Sequence, residues 1–513
     1  MPTLAELKAK WFIRTDSDQT VLGVPCRRHS PGATGTQLAV STDNNTVMPL
    51  IDGAAYMERW HTLLGTLHGQ PGAEFMHAGW RFEGVKTLGH SVPGTDALQD
   101  VAAAQAAGVA VYPVMCRNLL MLRFNNATVI WLHAHGVWNA VMDNRFPAGG
   151  SNHQKFAVFK RTGMARAIMG SIDISKTRWD RPVHNPTDPD RHPSGKPTHD
   201  TGVLLIGPAS RDVELTFRER WNDPTRTFGL EPLLPPLPLI SSPLSAEPGT
   251  GTHSVQILRT YGITNATFGY SWHARGEFTV WASYLNAIRT AQSLIYIEDQ
   301  YFLPWGFPPR FAATGARRDV DVVYQLGEAM KRGVKVVVVV PANEEDSTHA
   351  YQKYQRDLAV NYLTGVKAAG ASGDVVVASL KNGTTDIYVH SKLMLVDDEL
   401  VLIGSTNVGQ RSMTHDGEIH AAIVDSANSF ARELRKTLWA EHTGRPAATL
   451  DAPLAAYALF VADTAASAGH LKPYPVDPLV VYPPVAGTPP PGRTHSHVIN
   501  HLVDPYAGPA ALA

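Results

Sequence analysis

The chain repeats itself in order, and that repeat limits what it can fold into more than any other feature. A helix-like, alanine-rich stretch, "TDALQDVAAAQA", stops at Gly108 and runs into an apolar β-branched segment from Val109 to Val114. The same sequence of events recurs downstream, where "VVYQLGEAMKR" stops at Gly333 and runs into the segment from Val334 to Val340. Glycine takes the left-handed conformation that ends a helix, and short β-branched runs favour buried strands. Earlier in each copy, "AAYMERWHTLLGTL" leads into "AEFMHAGWRF" as "FTVWASYLNAIRTA" leads into "SLIYIEDQYF", so that Ala73 stands to Ser293 much as Gly108 stands to Gly333. Propensity alone does not place so many matched elements in one order, so the expected fold is two repeated α/β/α halves packed about a pseudo-twofold axis.

The seam falls in "LEPLLPPLPLISSPLSAEPG", residues 230–249, where proline forbids both helix and central strand. The expected division is 1–235, 250–445, and an Ala/Pro-rich extension over 446–513, read as a surface wrap or partly disordered tail. With 513 residues, 44% of them hydrophobic, the chain is long enough to give each half a core. A formal net charge of -1 supplies no global field to hold a polyanion, which disfavours nucleic acid as a partner. Cys26 and Cys116 are too far apart in sequence for a metal pair and are expected to be buried thiols. "MPTLAELKAKWF" has no apolar core of signal-peptide length and no run approaches the ~20 apolar residues of a membrane span. A soluble, monomeric protein is expected, in the cytoplasm or exported by a route without an N-terminal signal peptide.

Two short stretches carry the chemistry. "SNHQKFAVFK" and "VHSKLMLVDD" each hold a His with a Lys two residues later, His153 with Lys155 and His390 with Lys392. Two residues apart on a strand, imidazole and ammonium share a face. Such a face offers a phosphate a nucleophile or acid and a fixed positive charge, and duplication supplies two of them. One His can then attack while the other protonates the leaving group. Taken alone, the downstream H-x-K-x-x-x-x-D pattern is expected by chance in roughly one chain in twenty, so its surroundings decide the matter.

Those surroundings are "HSKLMLVDDELVLIGSTNVGQRSMTHDGEI", which resembles the C-terminal signature of the phospholipase D superfamily, and "HQKFAVFKRTGMARAIMGSIDISKTRWD", which resembles the N-terminal one. "THDTGVLLIGPASRDVELTFRERWND", "VQILRTYG" and "IYIEDQYF" are further matches, in order, from about Ala73 to Asp425. The resemblance implies that His153 and His390 are the catalytic pair and that Lys155 and Lys392 bind non-bridging phosphate oxygens. It implies the same oxygen-binding task for Ser405 and Asn407, with Ser171 and Asp173 at the matching upstream positions. Asp173 puts a carboxylate, which cannot donate when ionised, where an amide is usual. A structural Asp bonding backbone amides and a site role both stand open for it. Glu418 matches an acid that orients the His of its own motif, and Asp180 is the candidate for that task upstream.

The main departure is Lys160, which stands where the upstream motif has Asp, and the span from there to "GS" is three residues longer than usual. On the family's crossed pattern Asp397 would support His153, which makes His153 the expected nucleophile, while His390 loses its acid and leans on Glu418 instead. Read as a partly exposed structural replacement, Lys160 is expected to be removable at little cost. His153 and Lys155 are both intact, so the upstream stretch reads as a working half rather than a decayed one. His133 and His135 lack a third ligand at metal spacing, and no cofactor or metal is expected. Trp131, Trp138, Arg145 and Phe146 before His153 read as loop packing or as contacts for a lipid headgroup. The implied activity is cleavage of a glycerophospholipid such as phosphatidylcholine or phosphatidylethanolamine at a membrane surface, through a phosphohistidine, to phosphatidic acid and free alcohol. A phosphatidyltransferase, a nuclease of the same superfamily and a catalytically silent lipid-binding protein are the alternatives.

Overall fold

The computed structural model describes residues 2–14, 20–26, 38–94, 96–223, 237–244, 247–264, 269–272, 275–304, 319–345, 350–477 and 480. Seven strands belong to the first repeat: β1 (Thr42–Ile51), β2 (Glu74–Gly79), β3 (Ala110–Cys116), β4 (Val141–Asp143), β5 (Phe156–Arg161), β6 (Met164–Gly170) and β7 (Thr201–Ile206). They pair in the order β4-β3-β2-β5-β6-β7-β1, parallel among β2, β3 and β4 and antiparallel elsewhere. The second repeat supplies β8 (His253–Tyr261), β9 (Leu294–Asp299), β10 (Lys335–Val339), β11 (Asp374–Asn382), β12 (Lys392–Val396), β13 (Leu400–Gly404) and β14 (Glu418–Asp425). Its order is β11-β10-β9-β12-β13-β14-β8, with the same parallel and antiparallel senses. Each strand therefore has its counterpart seven strands later. β1 also pairs with β8 through a bulged ladder, which joins the two sheets edge to edge.

Helices follow the same rule. After α1 (Leu4–Trp11), the first repeat has α2 (Asp52–Gly65), α3 (Ala97–Ala106), α4 (Leu122–Ala134) and α5 (Ala209–Trp221). The second has α6 (Thr279–Thr290), α7 (Val322–Lys331), α8 (Ala350–Ala368) and α9 (Phe430–Thr443), and α10 (Pro453–Ala466) comes last. The expected stops are real: Gly108 and Gly333 sit at φ +85° and +101°, which a side chain would strain. The starts match too, since Asp96 accepts from the Leu98 and Gln99 N–H groups as Asp321 does from Tyr324.

Three apolar clusters hold the layers together. One lies outside the first sheet and includes Trp60, Phe75 and Leu132; another lies outside the second and includes Trp281, Leu326 and Val338. The middle one is shared, running from Val114, Phe156 and Phe217 of the first repeat to Tyr296, Val337 and Trp439 of the second. Strands buried on both faces have no polar side to present, which is why β10 reads as unbroken valine after its first residue.

Residues 4–14 and 20–26, assigned to the first half from the sequence, pack instead on the second: Leu7, Trp11 and Val24 belong to the cluster around Trp281. Past residue 446 the chain wraps, with α10 against the shared core and Leu471–Pro473 adding an antiparallel strand beside Ala378–Leu380 of β11. The proline-rich "YPPVAGTPPPGR" and residues 224–236 of the seam lie outside the described residues. Cys26 and Cys116 are buried free thiols. Among the described residues no helix is long and apolar enough to cross a membrane.

Candidate active site

The two His-Lys strands meet because each half lends the other a stretch of backbone. The N–H of His153 donates to Gly417 O at 2.8 Å and the N–H of Gly417 to Ser151 O at 2.9 Å. In the mirror contact the N–H of His390 donates to His199 O, and that of Tyr388 to Pro197 O, both at 2.8 Å. These short parallel ladders put the start of β5 beside the start of β14, and the start of β12 beside that of β7.

The consequence is a crossed pair of dyads. His153 Nδ1 lies 3.0 and 3.1 Å from the carboxylate oxygens of Glu418. His390 Nδ1 lies 2.7 Å from Asp200 Oδ2. A serine holds each carboxylate: Ser405 Oγ donates to Glu418 at 2.5 Å and Ser171 Oγ donates to Asp200. All four partners are buried. Burial, reinforced by Lys155 and Lys392, holds His153 well below the usual imidazole range; burial, then Arg178, Lys392 and Lys155, does the same for His390. Burial also pushes Glu418 well above, and Asp200 above, the usual carboxylate range. One proton shared between Nδ1 and the carboxylate satisfies each dyad and leaves Nε2 of a neutral imidazole with its lone pair.

The lysines lie across the same floor. Lys155 Nζ donates to His153 O at 3.0 Å and sits 3.4 Å from Asp173, beneath the Trp80 ring, whose edge also meets His153. Lys392 Nζ donates to His390 O at 2.5 Å and to Gln300 Oε1 at 2.9 Å, and burial lowers it to about 7. Asn407 is buried, and neither its side-chain oxygen nor its nitrogen has a hydrogen-bond partner among the described residues. A buried amide with both atoms unengaged can take up phosphate oxygens. Asp173, its counterpart, accepts from the N–H groups of Trp80 and Arg81, the structural arrangement left open for it, and also faces Lys155.

Five expectations need correction. Asp397 does not support His153: its carboxylate accepts from the N–H groups of Gln292, Ser293 and Leu294 and caps the entry to β9. Glu418 serves the histidine of the other motif, not its own, because the ladder with Asn152 carries it across. Asp180 does not reach either motif histidine; it accepts from His184, Arg191 and the Thr198 N–H. Lys160 is buried rather than partly exposed, 2.9 Å from Glu214 and 3.3 Å from Glu74, and donates to Pro243 O. The serines, expected to face phosphate, are turned onto the carboxylates. His133 and His135 bond the Ala140 and Trp131 carbonyls, and Arg145 is buried on Asp143.

Sequence reasoning missed Asp200, and the repeat held the signal for it: it precedes β7 as Glu418 opens β14, so the two acids occupy matching places in the two copies. Trp80 and Gln300 follow β2 and β9 at matching places and escape notice in the same way.

Behind Asp200 is a second buried group of ligand-type side chains. Asp52, His184, His199 and Glu441 converge, and His199 also meets Glu298 and His442.

Paired α/β repeats that cross-brace two His-Lys strands define a two-motif protein in which neither half has a complete site. A family-model match and curated relatives support membership of the phospholipase D superfamily. The family model described as "Cardiolipin synthase, PLD-like domain" matches residues 284–441. Phospholipase D alpha 2 of Arabidopsis thaliana is 25% identical over 421 residues, 62% of this chain and 50% of the relative. Phospholipase D alpha 1 of Carica papaya is 27% identical over 400 residues, 59% of this chain and 48% of the relative. The chain thus spans about half the length of the curated relatives it matches. Among solved structures, phosphatidylserine synthase of Haemophilus influenzae aligns with a TM-score of 0.47 at 12% identity, over 76% of this chain and 85% of that one. The phospholipase D family member Nuc of Salmonella typhimurium aligns at 0.21 and 20% identity, over 34% of this chain and 84% of that one.

Proposed function

We propose that the protein is a phospholipase D-type phosphodiesterase that cleaves glycerophospholipids to phosphatidic acid and a free alcohol. The observation that carries this reading is the crossed dyad: two neutral imidazoles, each held at Nδ1 by a buried carboxylate from the other half, with a lysine under each. Nε2 of one imidazole attacks phosphorus, the bond to the headgroup oxygen breaks, and that oxygen takes a proton from the other imidazole, which picks one up from solvent as the anionic phosphodiester binds beside it. The second imidazole, now neutral, removes a proton from water, which attacks the phosphohistidine and releases phosphatidic acid. Lys155, Lys392 and Asn407 hold the non-bridging oxygens throughout. Every group in these steps belongs to this chain.

A lipid substrate is favoured by the rim. Leu119 and Leu120 are exposed at 93% and 63% in the turn that follows β3, next to the end of β2, from which Trp80 reaches His153. Exposed leucines on the end of the sheet that carries Trp80 suit an acyl-chain surface better than a polyanion. The names of the relatives favour the same substrate, while the cardiolipin synthase description of the family model favours transfer to an alcohol; the same phosphohistidine serves both. The test is a panel of phospholipid vesicles assayed for phosphatidic acid and released headgroup, with and without added primary alcohol, beside an oligonucleotide control. Headgroup release supports the reading; tight vesicle binding without release, or turnover of the oligonucleotide alone, overturns it.

A further inference from the structure

We propose that Asp52, His184, His199 and Glu441 form a binding site for one divalent transition-metal ion of the zinc class, placed directly behind the His390–Asp200 dyad. The four come from separate segments, yet their donor atoms all lie within 4.8 Å of one another. His184 Nε2 is 3.3 Å from Glu441 Oε1 and 3.7 Å from Asp52 Oδ2. His199 Nδ1 is 2.9 Å from Glu441 Oε1 and 3.1 Å from Asp52 Oδ1. A tetrahedral ion with bonds of ~2.0–2.1 Å sets its ligand atoms about 3.3–3.4 Å apart, and these four separations straddle that spacing.

Two atoms aimed into the centre point to a ligand. Asp52 Oδ2 and His199 Nδ1 are buried and make no hydrogen bond among the described residues, although the His199 nitrogen has carboxylate oxygens on two sides. Nitrogen and oxygens converge there as donors to a cation do, off the line of any N–H bond. The far side of each ring is built in the same sense. His184 Nδ1 bonds Asp180 at 3.0 Å and His199 Nε2 bonds Glu298 at 3.0 Å. A carboxylate on the second ring nitrogen orients an imidazole for a metal and raises its basicity. Glu298 also meets His442 Nε2 at 3.0 Å, so the second trio of side chains is the outer layer of this site. Two imidazoles and two carboxylates suit zinc, iron or manganese better than calcium or magnesium, which take oxygen sets.

The site reaches the reaction through backbone. The Asp52 N–H donates to Asp200 O at 2.8 Å and Asp52 Oδ1 accepts from the Asp200 N–H at 3.1 Å. His199 O accepts the His390 N–H. An ion gripping Asp52 and His199 therefore locks the peptide that presents Asp200 to His390. The four are positioning residues.

The experiment is elemental analysis of the full chain purified without chelator, followed by chelation and titration with Zn²⁺ and with Co²⁺ as a spectroscopic probe. About one ion per chain is expected. Co²⁺ should give the visible absorption of a low-coordinate site, and Zn²⁺ should raise the Tm of the stripped protein. Glu441→Gln, nearly isosteric, should lose the ion and its spectrum while the circular dichroism spectrum stays native. Asp180→Asn should weaken binding by about 10–100-fold. A stripped protein whose Tm and visible spectrum do not respond to either metal overturns the proposal and makes the cluster a buried ion-pair network. Binding that persists unchanged in both Glu441→Gln and Asp52→Asn overturns it too. None of these readouts depends on which phosphodiester the active site cleaves.

Discussion

The two His-Lys strands are equivalent where the site is and unlike where it is not. At their starts, His153 and His390 obey one rule: backbone N–H to the opposite half, Nδ1 to a carboxylate of the opposite half, a serine on that carboxylate, and a lysine returning to the histidine's own carbonyl. At their far ends, the position seven residues on carries opposite charge. Lys160 lies inside a longer hairpin and pairs across the strands with Glu74; Asp397 lies in the turn itself, at φ +54°, and caps the next strand's entry. The three extra residues before Ser171 account for this, since β5 and β6 pair through Met164 while β12 and β13 turn back at Asp397. The seventh position is thus a hairpin-anchoring position whose charge follows the local loop, and it says nothing about which histidine attacks.

The strongest test of this comparison removes each histidine. His153→Ala and His390→Ala should each lose about 10³-fold or more in turnover of a natural lipid. On a p-nitrophenyl phosphodiester the two should part company. The variant lacking only the acid should still give a burst of p-nitrophenol and accumulate phosphohistidine, because that leaving group needs little protonation. The two dyads are built alike, so the burst decides: survival in His390→Ala with loss in His153→Ala makes His153 the nucleophile, and the converse makes it His390.

Next in size are the carboxylates. Asp200→Asn should reproduce the His390 defect and Glu418→Gln the His153 defect, each by about 10²-fold or more, since a misassigned tautomer leaves the lone pair on the wrong nitrogen. The decisive measurement is the pairing: if Glu418→Gln follows the His390 pattern in the burst assay, the crossed arrangement is wrong.

A smaller effect separates the lysines' environments. Lys392, lowered by burial to about 7, is protonated below that pH and loses its charge above it. On the p-nitrophenyl phosphodiester, which needs little help from the acid, a cation needed for phosphate then predicts that kcat/KM falls about tenfold per pH unit above pH 7. Both histidines are held below their usual range, so the acid limb should lie below pH 6.5. Lys392→Arg should remove the alkaline limb; an unchanged limb assigns it to another group.

The smallest effect on turnover belongs to the far ends. Lys160→Ala removes one cation from the buried Glu214 carboxylate, leaving Arg218, and should cost about 1–3 kcal/mol of stability, and Asp397→Ala, the loss of a cap, about 1–2 kcal/mol. Neither should lower kcat of the folded fraction more than about threefold. Urea melts alongside kcat check both, and a collapse of kcat in a fully folded Lys160→Ala protein would restore a substrate-binding role to that cation.

Much of this was legible beforehand, because repeat spacing, glycine stops, aspartate caps and strand alternation are properties of neighbouring residues. The same local patterns exposed both histidines and both lysines. They did not expose the partners. Which carboxylate meets which histidine depends on two ladders, Asn152 with Gly417 and Val389 with His199, each of which joins one half of the chain to the other. A hydrogen bond is satisfied by whatever packing brings within about 3 Å, not by what lies nearest in the chain. For the same reason the sequence by itself determined two halves, their order and the reactive side chains. Tertiary structure alone decided that each half completes the other's dyad, that Asp397 caps a strand and Lys160 sits in a buried ion pair, and that Asp52, His184, His199 and Glu441 converge from four segments behind Asp200.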